Sequence, residues 1–135
     1  MACPLCDARS ERILWQDTDC RVIRVNDPDY PGFCRVIWNT HVAEMTDLSS
    51  TQRMHLMNVV FATEQVLRDT MRPHKINLAS LGNQVPHLHW HVIARHRDDR
   101  HFPQPVWANP ERAAVAGPAP DDATLATALA RQLDR

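Results

Sequence analysis

Apolar and polar residues alternate through the first forty positions of the chain, and the period then changes. In ERILWQDTDCRVIRVND the alternation predicts two strands, over 12–16 and 20–26, joined at Asp17-Thr18-Asp19, whose polar residues suit a turn. DPDYPG then punctuates the chain with two prolines and a glycine, and the β-branched, aromatic run FCRVIWN predicts a third strand over 33–39. From Leu48 the spacing becomes helical. Ser49 followed by Gln52 makes a capping box, and Met57, Val60, Phe61, Glu64, Leu67 and Met71 trace one face with a single polar interruption, ending before Pro73. KINLASLGNQVP predicts a fourth strand over 75–81, closed by Gly82-Asn83, and a fifth follows over 87–94, with Pro86 at its entrance. FPQPVWANP and VAGPAPDD read as irregular chain wrapping the surface. Asp121 or Asp122 caps a short final helix in ATLATALARQL.

The order β-β-β-α-β-β defines an α+β domain: a five-stranded antiparallel sheet with one long helix and a C-terminal helix. The long amphipathic helix must cover one face of the sheet, which leaves the other for function.

That second face matters because of HLHWHVIARH, residues 87–96. A strand's period of two puts His87, His89 and His91 on one side and Leu88, Trp90 and Val92 on the other, with the imidazoles about 7 Å apart. Three readings use such a row: polar positions of a half-exposed strand, a metal site built from two or three imidazoles, or a nucleophilic site. In the last, one imidazole attacks as the neutral base, its other nitrogen carrying a proton held by an acceptor. Its neighbours supply orientation and positive charge for an anionic substrate, of which phosphorus is a plausible centre.

Composition narrows the field. In 135 residues, fifteen basic and sixteen acidic side chains leave a net charge of -1, without a basic run, so nucleic acid is excluded as a first partner. The start, MACPLCDARSERILW, mixes charges and has no continuous apolar stretch, so neither an export signal nor a membrane span is expected, and the cytoplasm is the expected location. Four cysteines, Cys3, Cys6, Cys20 and Cys34, are then expected to be thiols or metal ligands rather than disulfides. The length suits one domain spanning 1–135.

His87-Leu88-His89-Trp90-His91-Val92-Ile93 matches the HφHφHφφ signature (φ apolar) and so resembles the histidine triad superfamily of nucleotide hydrolases and transferases. The resemblance extends through KINLASLGNQVPHLHWHVIAR and NDPDYPGFCRVIWNTHVAEMTDLSSTQ, covering residues 11 to about 107 and leaving 108–135 as a C-terminal extension. HRDDRHFPQPVW further resembles a bacterial diadenosine-polyphosphate hydrolase-like branch. The resemblance implies that His89 attacks the α-phosphorus of a nucleoside phosphate derivative, forming a nucleotidyl-histidine that water releases as the monophosphate. By the same resemblance the carbonyl of His91 accepts the proton-bearing nitrogen of His89, and His87 and His91 flank the phosphate. Asn77, Asn83 and Gln84 correspond to positions near the phosphates, and Asp27 to an acceptor for ribose hydroxyls. Implied too are an adenine nucleotide as substrate, a homodimer, and no cofactor for the chemistry. Nucleotidyl transfer and a non-catalytic nucleotide- or zinc-binding module are the alternatives.

Cys3-Pro4-Leu5-Cys6 is half a zinc site by spacing, in an N-terminal segment of residues 1–10. In relatives with such a pair, a histidine after the third strand and the first triad histidine complete the set. The resemblance therefore implies Cys3, Cys6, His41 and His87 as ligands of a structural zinc. His55 and His74 are expected to face solvent. His96 and His101, with Arg95 and Arg97, are expected in a solvated loop, with contact to distal phosphates as the alternative. Trp107 is expected as an anchor of the proline-rich wrap, or beside the site or a partner subunit.

Overall fold

The structure is a computed structural model and describes residues 3–115 and 117–134. Five strands, β1 (Arg12–Gln16), β2 (Cys20–Arg24), β3 (Phe33–Trp38), β4 (Lys75–Ala79) and β5 (His89–Arg95), form one sheet in the order β1-β2-β3-β5-β4. Every neighbouring pair is antiparallel. The long connection that carries the chain from β3 to the far edge contains helix α1 (Ser50–Met71), and helix α2 (Asp122–Leu133) closes the chain.

Both helices lie on one face. The pleat turns Cys20, Val22, Cys34, Val36, Trp38, Leu88, Val92 and Ala94 toward Leu56, Val59, Val60, Val66 and Leu67 of α1 and toward Leu125 and Leu129 of α2, making one apolar core. Thus the C-terminal segment is not an appendage, since the side chains of Leu125 and Leu129 are completed by this core. Asp121 caps α2 by accepting the Thr124 backbone N–H. At α1 the capping box of Ser49 and Gln52 forms as the sequence predicts, and Arg72 ends the helix in the left-handed region at φ 48. The buried stripe of α1 shares Val60 and Leu67 with the expected one and adds Leu56, Val59, Thr63 and Val66. Phe61 faces outward, 52% exposed, because Val59, Val60, Thr63 and Val66 fill the inner face.

Gly32, just before β3, is fixed by close approach. A Cβ there would lie 2.6 Å from the Met71 sulfur and 2.7 Å from the Ala94 Cβ.

Strand ends are shorter than the alternation predicts at β2, which stops at Arg24, and at β4, which stops at Ala79. His87 and Leu88 precede β5, but their backbone is tied by the bond of Leu88 N–H to the Val42 carbonyl and of Trp38 N–H to the Leu88 carbonyl. Beyond β5 the described residues up to Asp121 form no helix or strand, as expected. The segment HRDDRH, however, is not a solvated loop. Arg95, Asp99 and His101 are buried together: Arg95 bonds Asp99 through Nε at 2.8 Å, and the Tyr30 hydroxyl joins Asp99 and the His101 ring. Arg95 also donates to the Gln104 carbonyl, which pins the proline-rich strap to the sheet.

Candidate functional site

The face opposite the helices is set by the cross-strand register. His89 stands opposite Ile37 and His91 opposite Arg35 on β3, while Ala79 of β4 stands on the other side of His91. Residues directly opposite in an antiparallel pair share a face, so His89, His91, Arg35 and Ile37 project together, away from α1. The rings of His89 and His91 meet edge to face with centroids 4.9 Å apart.

All three histidines are buried. His89 Nδ1 lies 2.5 Å from the backbone carbonyl of His87. A carbonyl can only accept, so Nδ1 carries the proton and Nε2 keeps its lone pair. The acceptor is thus the His87 carbonyl, not that of His91 as the resemblance implies. The Ser80 hydroxyl donates to the carbonyl of His89 at 2.8 Å, fixing the backbone of the residue from the loop side.

Burial lowers the pKa of His89; the Arg35 charge adds to this, and the bond to the His87 carbonyl opposes it. Burial, then the neighbouring His89 and Arg35, push His91 down to about 4. His87 is lowered too, mainly by burial. The row is therefore neutral near pH 7, and it does not supply the positive charge expected of it. Neutrality suits a nucleophilic nitrogen.

The cation at this site is Arg35, which the sequence reading passed over as one polar position in a strand. Its Nε lies 3.4 Å from His91 Nδ1, and its guanidinium stacks over Phe33. If Nδ1 of His91 accepts from Arg35, Nε2 of His91 carries the proton and can donate. Phe33 and Trp107 enclose the His91 ring at 5.6 and 5.0 Å between centroids. Trp107 is 52% exposed, so it forms a wall of the site rather than an anchor in the core.

On the other side of His89 a cleft of about 290 Å³ opens between Ala43, Glu44, Met45 and Thr46 and the loop of Ser80, Leu81 and Gly82. Gly82 takes φ 68, so a side chain there would strain the loop. Asn83 and Gln84 are exposed in the same loop. Asn77 lies on β4 opposite Ile93, and its side-chain oxygen accepts from Arg95 at 2.7 Å. Asp27 lines a separate cavity of about 370 Å³ with Arg12, Arg24, Val25, Asn26, Pro28 and Pro31. Its Oδ1 caps the Asp29 backbone N–H. Val25, two residues before Asp27, packs against the cluster of Tyr30, Phe33 and Ile93, which links that cavity to the wall around His91.

His87 faces another way. Its Nε2 is 2.5 Å from the Trp38 carbonyl, which leaves the lone pair on Nδ1. That nitrogen is 3.4 Å from Cys3 Sγ, 3.5 Å from Cys6 Sγ and 3.2 Å from His41 Nδ1, while Cys6 Sγ is 3.4 Å from His41 Nδ1. With metal bonds of about 2.3 Å to sulfur and 2.0–2.1 Å to nitrogen, tetrahedral zinc sets its ligand atoms about 3.3–3.8 Å apart. The four side chains fit that figure closely, and the Trp38 carbonyl is the outer acceptor that a ligating histidine needs. Asp17, Cys20 and His55 form a second cluster, but His55 Nε2 and Asp17 Oδ2 are 2.7 Å apart, the length of a hydrogen bond rather than of an edge between co-ligands. That pairing also holds His55 half-buried, against the expected exposure. His74 is exposed as expected and accepts from Arg97.

A family model described as HIT domain matches residues 8–98. Among solved structures, the chain is similar to a histidine triad protein from Bradyrhizobium japonicum, 28% identical, covering 90% of this chain and 89% of that one with a TM-score of 0.70. A histidine triad protein from Marinobacter aquaeolei VT8 is 26% identical over 94% and 91% of the two chains, with a TM-score of 0.73. The fold is shared as well with a Zn-bound histidine triad family protein from Mycobacterium smegmatis, 19% identical over 99% and 94%, with a TM-score of 0.66. No curated protein matches the sequence.

Proposed function

The chain belongs to the HIT domain family, and from that premise we propose that it is a nucleotide hydrolase that cleaves at the α-phosphate of a nucleoside phosphate derivative. The substrate is a dinucleoside polyphosphate or a nucleoside phosphoramidate with adenine as base. The single observation that carries this reading is the His89 ring held through Nδ1–H by the His87 carbonyl, which leaves the Nε2 lone pair for attack.

In the first step His89 Nε2 bonds to the α-phosphorus as the bond to the leaving group breaks, the electron pair departing with that group, which for a phosphoramidate takes up a proton from solvent and leaves as the amine. The ring then carries a positive charge, which the His87 carbonyl stabilises through Nδ1–H. Water next attacks phosphorus and gives up a proton to solvent, the phosphorus–nitrogen bond breaks with its electron pair returning to Nε2, and the nucleoside monophosphate leaves with the histidine restored. His91 donates from Nε2 to a phosphate oxygen. Amide donors of Asn83 and Gln84 approach the same phosphate from the loop, and the side-chain nitrogen of Asn77 is left for it by the bond to Arg95. Asp27 Oδ2, which has no partner among the described residues, accepts a ribose hydroxyl.

Cys3, Cys6, His41 and His87 are proposed to hold a zinc ion. Bound zinc supplies rigidity rather than chemistry, tying the N-terminal turn and the loop after β3 to the start of the triad strand. We place the protein in the cytoplasm, where cysteines outside disulfides persist, and propose a homodimer, for which exposed Met54 and Phe61 on α1 offer apolar surface. No helix among the described residues is long and apolar enough to cross a membrane.

The test is incubation with diadenosine tetraphosphate and with adenosine 5′-phosphoramidate. Release of AMP lost in His89→Ala supports hydrolysis. Appearance of ADP on adding inorganic phosphate would instead identify nucleotidyl transfer, and nucleotide binding with both substrates intact would identify a binding module.

A further inference from the structure

Arginines occupy five positions on the strands, and four of them have a carboxylate. Arg12 and Arg24 bond Asp122, Arg21 bonds Glu11, and Arg95 bonds Asp99. Arg35 has none within ion-pair distance among the described residues, and its one hydrogen bond is the long contact to His91. Glu11 acts on it only through its field and is itself bonded to Arg21 at 2.7 Å.

A half-buried guanidinium without a counter-ion is costly unless something else compensates it, since removing charge from water is opposed by several kcal/mol for a deeply buried ion. Stacking on Phe33 supports the flat face of the group but does not neutralise it. The register decides where the missing counter-charge belongs. Arg35 stands directly opposite His91 on the triad face, beside the point where an anion would sit.

We propose that Arg35 is a substrate-binding residue that takes a non-bridging oxygen of the α-phosphate. The inference rests on the nucleotide reading above and adds to it a cation from β3. A guanidinium suits the role by its shape. Nε is directed to His91, and the terminal nitrogens are left to donate to oxygens on the phosphorus. Because the interaction is with the phosphate common to all substrates of this class, it is independent of the leaving group.

The test uses the full chain with its metal, as wild type, Arg35→Met and Arg35→Lys, with circular dichroism and melting temperature to check folding. AMP and adenosine are titrated by calorimetry, and kcat and KM are measured on diadenosine tetraphosphate and adenosine 5′-phosphoramidate. Arg35→Met is expected to weaken AMP at least tenfold while leaving adenosine unchanged. It should lower kcat/KM by about 10²-fold on both substrates by the same factor, and Arg35→Lys should recover part of that loss. Equal weakening of AMP and adenosine would make Arg35 a structural residue and overturn the proposal. So would unchanged AMP affinity in a variant of a working enzyme, and in that case the hydrolase reading survives. A wild type that neither binds AMP nor turns over either substrate defeats the hydrolase reading and the Arg35 assignment together.

Discussion

His89 Nδ1 and the carbonyl oxygen of His87, two residues earlier in the same chain, are 2.5 Å apart. One bond thereby links the proposed metal ligand to the proposed nucleophile: His87 is held from its ring by Trp38, and it holds His89 through its backbone. The tautomer of His89 is set by backbone geometry, which substitution of neighbouring side chains does not remove.

The first expectation concerns His89 itself. Replacing it with Ala should lower hydrolysis by about 10³-fold or more, since no other neutral imidazole in the row has a free nitrogen set by a backbone acceptor on the same side. The fold should survive, because the core lies on the opposite face of the sheet. Intact-protein mass after brief mixing with substrate should show a nucleotidyl adduct in the wild type and none in the variant.

The activity should be flat through neutral pH and fall only on the acid side, below the ordinary histidine value of 6.5, because the neutral form of His89 attacks and burial has lowered its pKa. Stability follows the same sign. The unfolded chain takes up a proton on His91 near pH 6.5, whereas the folded chain resists until about pH 4. In that window the unfolded state binds more protons, so stability contributed by the neutral ring is present above pH 6.5 and is lost as pH falls to about 4. Melting temperature against pH should show this slope, and His91→Asn should flatten it.

Metal analysis of protein purified without added metal should give one zinc per chain. Cys6→Ser should abolish it and lower the melting temperature, and chelation of the wild type should do the same. Zinc near zero in the wild type would remove the site formed by Cys3, Cys6, His41 and His87. Hydrolysis should be reduced rather than abolished by Cys6→Ser, as the tie from Trp38 to His87 does not depend on the metal.

Much of this was legible in the chain because the relevant signals are local. Alternation over 12–16 and 33–39, the capping box at Ser49 and Gln52, and the two-residue spacing of the histidines each depend on neighbours in sequence. What was not legible depends on register or on buried charge. Arg35 looks like a polar position in FCRVIWN until β3 is laid beside β5 and it falls opposite His91. The His91 carbonyl as acceptor for His89 came from the family resemblance, and a motif of residue types does not encode which backbone carbonyl a ring nitrogen meets, here that of His87. HRDDRH reads as a charged surface loop because composition alone does not tell that Arg95 and Asp99 neutralise each other inside the protein.

That buried pair gives the last expectation. Burial would push the Asp99 carboxyl up, but Arg95 and the backbone N–H groups of His96, Phe102 and His101 hold it well below the usual carboxylate range. Arg95 is 2% exposed, so Asp99→Ala leaves a guanidinium in the interior with its chief partner gone. The cost should be about 3–5 kcal/mol, far above that of removing an exposed charge such as Asp7, which pairs with Arg9 in contact with solvent. The change should also reach the site. Asp99 organises the turn that leads into the strap carrying Trp107, and Trp107 stands 5.0 Å from His91. Urea unfolding of Asp99→Ala and Asp7→Ala, compared with the wild type, measures the first effect. Tryptophan fluorescence on adding AMP, diminished in Asp99→Ala at a temperature where the variant is still folded, measures the second.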